Sequence, residues 1–95
     1  MDKKFFASAY QDLFEPAVRR AMTKGLSREM AEDMVQNFFL DLYEKNDELV
    51  LQQKSLFWQF LDWRIIDEKR RIKARLKKAK KMRQKLEWLD KTIEE

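Results

Sequence analysis

Three groups of residues have types and spacings that could do chemistry. Carboxylates stand side by side at Glu32-Asp33, Asp47-Glu48 and Asp67-Glu68, where general acid–base work would be sought. Neighbouring helix positions point about 100° apart, so such pairs do not converge on one substrate and read as caps and solvated faces. The second group is a polar strip, Asp33, Gln36 and Asn37, with Phe39, Leu40 and Tyr43 beside it. Those apolar residues exceed what one buried stripe needs, and a helix apolar almost all round is either fully buried or has two interfaces. The third group is aromatic and then cationic. Trp58 and Trp63 precede the run from Lys69 to Lys85, in which 11 of 17 residues are Lys or Arg and none is acidic. Rings stack on bases while cations neutralise phosphates, so this order suits single-stranded nucleic acid. The cations concerned are Arg64, Lys69, Arg70, Arg71, Lys73 and Arg75. The plainer alternatives are that Trp63 covers the edge of a core and that the cations form a solvated helix.

Other chemistry is excluded by composition. The 95 residues include no histidine, no cysteine, one glycine (Gly25) and one proline (Pro16). A thiolate–imidazole metal site, a disulfide, a glycine-rich phosphate loop or a nucleophile elbow cannot be built from that set. No enzymatic activity, metal or cofactor is therefore expected. The net charge of +4 conceals an asymmetry: residues 1–63 carry 8 basic and 11 acidic side chains, and residues 64–95 carry 13 and 6. A balance of −3 followed by one of +7 favours an anionic partner for the second part. No uncharged stretch approaches the roughly 18 residues that span a bilayer. The apolar pair Phe5-Phe6 is too short for a signal peptide. A cytoplasmic protein without a membrane partner is expected, since the tail's thin apolar face is unsuited to strong insertion.

The elements that must position these groups are helical, because two breakers cannot supply the tight turns of a sheet. The first helix is expected from about Lys4 to Lys24, with Phe6, Tyr10, Leu13, Phe14, Ala17, Val18 and Ala21 inward. Pro16 inside that stripe predicts a kink, or two helices meeting near Glu15. Gly25 ends the helix and Ser27 caps the next, which runs from Arg28 to about Glu44. Its inward stripe is Met30, Ala31, Met34, Val35, Phe38 and Leu42, and Asn46-Asp47 closes it. Residues 46–54 read as a loop with Leu49 or Leu51 tucked in, and Ser55 as the cap of a third helix. Phe57, Phe60, Leu61, Arg64 and Ile65 share one face of that helix. Nothing halts it before the carboxy terminus, and Ile72, Leu76, Ala79, Met82, Leu86, Leu89 and Ile93 continue an apolar line at near-heptad spacing. That line is thin, so the tail needs a partner helix, a second chain or a polyanion. The expected fold is all-α: a compact three- to four-helix domain over residues 1–71 and a long basic helical extension over 72–95.

The run Ala31-Glu32-Asp33-Met34-Val35-Gln36-Asn37-Phe38-Phe39-Leu40-Asp41-Leu42-Tyr43-Glu44 resembles a segment of bacterial sigma factors of the extracytoplasmic-function type. In that family it is the helix of region two that docks on the clamp helices of the largest subunit of RNA polymerase. Leu56-Phe57-Trp58-Gln59-Phe60-Leu61-Asp62-Trp63-Arg64-Ile65-Ile66-Asp67-Glu68-Lys69-Arg70-Arg71 is similar to the helix that, with the loop before it, recognises and opens the minus-ten promoter element. The likeness runs from about Phe6 to Arg71. Trp63 and Asp62 depart from it, standing where the family has Asn and Arg. The chain ends where a linker and a helix-turn-helix region four would follow, so an excised domain or a stand-alone sigma-like protein is expected.

The resemblance implies a transcription initiation factor domain. Asp33, Gln36, Asn37, Phe39, Leu40 and Tyr43 would contact core RNA polymerase. Trp58, Trp63, Arg64, Lys69, Arg70, Arg71, Lys73 and Arg75 would face promoter DNA, including its single-stranded non-template strand. An anti-sigma factor is a further implied partner. The alternative is a small helical nucleic-acid-binding or clamp-binding regulator without promoter recognition, dimeric through its C-terminal helix.

Overall fold

The computed structural model describes the backbone of residues 1–94 and the side chains of residues 1–89. The described residues form four helices, α1 (Lys3–Thr23), α2 (Arg28–Glu44), α3 (Glu48–Gln52) and α4 (Lys54–Glu94). No strand occurs among the described residues, so the chain is all-α.

Asp2 starts α1 by accepting the Lys4 N–H at 3.1 Å. The helix continues through Pro16 without a break. Pro16 lies on the exposed side, while Leu13, Phe14, Ala17 and Val18 on the other side pack inward. Burial on both sides of the proline outweighs one lost helical bond. At the C-terminus the Leu26 N–H donates to Ala21 O at 3.1 Å and the Gly25 N–H to Met22 O at 3.0 Å. Gly25 holds φ +112° there, a conformation that L side chains adopt only under strain. The same pair of hydrogen bonds closes α2, with the Asp47 N–H donating to Leu42 O at 2.9 Å and the Asn46 N–H to Tyr43 O at 3.1 Å. Asn46 takes the glycine's role with φ 54°.

Two expectations for the second connection are corrected. Residues 46–54 are not a loop: Glu48–Gln52 form α3, which buries both Val50 and Leu51 and leaves Leu49 outside. One turn of helix gives adjacent residues inward access that a periodicity search misses in so short a segment. Ser55 does not cap α4 either, because the Phe57 N–H already donates to Gln53 O at 3.1 Å and Ser55 lies within the first turn.

The core gathers the stripes of α1, α2 and α4 around Phe39, Phe57, Leu61 and Ile65. Its aromatic centre is continuous, with Phe39 and Phe57 ring centroids 5.5 Å apart and Tyr10 5.0 Å from Phe39. The inward stripe of α2 differs from expectation at both edges: Met30 is 45% exposed, and Phe39 is 1% exposed. Packing by α1 on one side and α4 on the other buries a wider arc than a single stripe, and that arc is centred away from Met30. The core ends at Ile72, which packs partly against it. No structural break marks the expected boundary between residues 71 and 72, since α4 runs on to Glu94. The molecule is accordingly elongated, 67 × 25 × 18 Å. Of the apolar line along the tail, the side chain of Ile93 lies outside the described residues.

Candidate functional site

The outer face of α2 is set by the core behind it. With Ala31, Met34, Val35, Phe38, Phe39 and Leu42 inward, Asp33, Gln36, Asn37 and Leu40 follow the helical period on the opposite side and are exposed. Leu40 is 52% exposed at the middle of this face, and Glu29 and Glu44 add negative charge to it. Tyr43 sits at its edge, its ring 4.9 Å from that of Phe6. Phe39 is removed from the predicted set: it is enclosed by Phe6, Tyr10, Phe38 and Phe57 and reaches no partner. Arg28 borders the face, donating to Glu32 at 2.8 Å and to Glu15 at 2.7 Å, and so ties α2 to α1.

The two tryptophans do not form one platform. Five helix residues turn the direction by about 140°, and Trp58 faces α1 while Trp63 faces outward. Trp58 is half-buried edge-on against Phe57 at 5.1 Å, with the Arg20 guanidinium 5.7 Å from its ring centroid. It is a packing residue under a cation. Trp63 is 53% exposed and its ring lies 5.2 Å from Phe60.

Arg64 is likewise engaged within the fold. It donates to the Asp41 carboxylate on α2, and its guanidinium lies 5.6 Å from the Phe38 ring centroid. The Arg64 bond, helped by its charge, holds the Asp41 carboxyl below the ordinary carboxylate range. Asp62 does the equivalent work towards α1. Arg20 donates to its two oxygens at 2.6 and 2.7 Å, and Lys24 stands 3.8 Å away. The Arg20 bond depresses the Asp62 carboxyl in turn. Asp62 is thus a tether between α1 and α4. Lys69 lies over the α1–α2 turn, its Nζ 3.7 Å from where a Cβ on Gly25 would be.

Of the predicted cations, Arg70 and Lys73 share the outer face of α4 with Trp63. Arg71 turns aside towards Glu68, 3.9 Å away, and Arg75 points to the far side of the helix from Trp63 by its register. Lys77 and Lys81 continue the Trp63–Arg70 line, and Ile66, 44% exposed, lies beside it. These three residues were legible by extending the helical period from Trp63. Between the C-terminal end of α2 and α4 lies an open cavity of about 210 Å³, lined by Lys45, Asp47, Phe60, Trp63, Arg64 and Asp67 among others. Its carboxylates repel phosphate but accept bonds from exocyclic amino groups, and its aromatic rings offer faces. A nucleobase suits it better than a phosphate does. Lys45 and Phe60 were not legible as site residues, because they meet Trp63 only through the angle between α2 and α4.

No protein-family profile, curated protein or solved structure matches the chain. Among the described residues, no helix is long and apolar enough to cross a membrane.

Proposed function

We propose that this chain is a sigma-type transcription initiation domain that binds core RNA polymerase through the outer face of α2 and the minus-ten promoter element through α4. The observation that carries the reading is the placement of two chemically different exposed faces on one helical core. One face presents Asp33, Gln36, Asn37 and Leu40 with acidic surroundings; the other presents Trp63, Arg70, Lys73 and Lys77 beside a ring-lined cavity. The resemblance of residues 31–44 and 56–71 to sigma region two names the partners. Docking of α2 tethers the domain to the polymerase clamp. An unpaired base stacked on Trp63, with phosphates held by Arg70 and Lys73, then draws the duplex towards its open state. Binding energy does the work and no covalent step is required.

The test is co-purification with core RNA polymerase, using Gln36→Ala combined with Leu40→Glu. Both side chains are exposed, so the variant keeps its fold, and its retention on polymerase is expected to fall at least about tenfold, the scale of one lost anchor. Undiminished retention would remove the polymerase from the reading.

A second reading, a helical binder of nucleic acid without promoter recognition, is favoured by the length of the cationic stripe beyond Arg70. It predicts strongly salt-dependent binding that is indifferent to promoter sequence.

A further inference from the structure

The core-facing stripe of α4 does not stop where the core stops. Phe57, Leu61 and Ile65 are fully buried and Ile72 is partly buried. The same face then continues as Leu76, Ala79, Met82, Leu86 and Leu89, all exposed. Leu76 and Leu86 are 65% and 62% exposed, and a shallow groove lined by Leu76, Ala79, Lys80 and Arg83 runs along this line. Spacings of three and four residues are those of one half of a two-helix seam. From Ile72 to Leu89 the seam is about 26 Å long at 1.5 Å per residue.

Charge selects the occupant. Arg75, Lys78, Lys80, Arg83 and Lys85 flank the apolar residues, and Glu87 is the only carboxylate between Lys69 and Leu89. A parallel second copy would set these cations against their own kind; in an antiparallel one Glu87 and Asp90 would meet Lys78 and Arg75, but Lys80, Arg83 and Lys85 would still face one another at the centre of the seam, which opposes pairing. Nucleic acid would satisfy the cations and leave the leucines in water. An amphipathic helix with Leu or Ile on one stripe and Glu or Asp beside it satisfies both at once.

We infer that the tail of α4 is a docking helix for an acidic amphipathic helix of another protein, paired along Leu76, Ala79, Met82, Leu86 and Leu89. The face used is opposite the Trp63–Arg70–Lys77–Lys81 line, so the tail can hold its helical partner and a polyanion together. This inference does not depend on the polymerase reading.

The test titrates the full chain with a synthetic peptide of about four heptads, Leu at both seam positions and Glu at the flanking ones. Calorimetry and sedimentation are expected to give a one-to-one complex. Leu76→Gln with Leu86→Gln keeps every cation and touches no core residue. It should weaken the complex at least about tenfold, with unchanged melting temperature and unchanged binding to duplex DNA. Lys80→Glu with Arg83→Glu should weaken it comparably. No binding, equal binding by polyglutamate of the same length, or an unaffected Leu variant overturns the inference. So does self-association of the chain that the Leu variant abolishes, or loss of DNA binding by that variant. The first of these makes the occupant a second copy, and the second makes it nucleic acid.

Discussion

The two halves of α4 carry one apolar face under two different fates. From Lys54 to Ile72 that face is roofed by α1, α2 and α3, and two charged residues beside it are tethers: Asp62 to Arg20, Arg64 to Asp41. From Lys73 to Leu89 the face has no roof, and nearly every charge is a cation directed outward. Helix propensity serves both halves, since Lys, Arg, Ala, Leu, Gln and Glu dominate the tail. Nucleation separates them. An isolated helix of the tail's length is marginal in water, but here the packed half supplies a formed turn from which it propagates. The comparison teaches that the apolar face of the first half builds the domain, while the same face in the second half is left for a partner.

The largest expected effect sets a core position against its equivalent on the tail. Phe57→Ala should cost about 3–5 kcal/mol, whereas Leu86→Ala should stay within about 0.5 kcal/mol, both read by urea denaturation. Similar losses at the two positions would mean that the tail is packed in solution. Next comes Gly25→Ala, at the turn beneath Lys69. A Cβ there meets only the end of that side chain, so the cost is the backbone's, about 1–2 kcal/mol.

Acid should act on the packed half alone. Asp41 and Asp62 both titrate below their usual 3.8 in the folded protein. Their contribution is therefore complete above that value and is lost as pH falls through the lower folded pKa values. Both pairs face solvent, which limits each to about 1 kcal/mol or less. Thermal melts from pH 7 to pH 3 should show this decline, and Asp41→Asn with Asp62→Asn should flatten it. A decline of unchanged depth would assign it to other carboxylates. The smallest effect belongs to the tail: Lys77→Gln should lower the slope of log affinity for DNA against log salt by about 1 and leave stability unaltered.

Much of the molecule was legible because its signals are local. The caps at Ser27, Gly25 and Asn46, the three-and-four spacing of Ala17, Val18 and Ala21, and the uninterrupted helix formers after Ser55 each depend on residues a turn apart. What escaped depends on the angles between helices. Phe39 resembles a surface residue until α1 and α4 are seen to enclose it. Trp58 looks like a free ring until α1 brings Arg20 over it, and Arg64 looks like a phosphate ligand until Asp41 meets it. α3 escaped for a different reason, since tertiary burial overrode a local rule there. The candidate site was therefore half legible: its cations and Leu40 from period, its cavity only from packing.

The most direct test of the two-faced reading is fluorescence anisotropy with a promoter fork bearing an unpaired minus-ten strand, in the presence of core RNA polymerase. The chain with polymerase is predicted to bind the fork at least about tenfold more tightly than a scrambled fork, the cost of roughly one mismatched base contact. Trp63→Ala should erase that preference, and Trp63→Phe should retain most of it. Equal affinity for the two forks, or a preference that survives Trp63→Ala, would contradict the account.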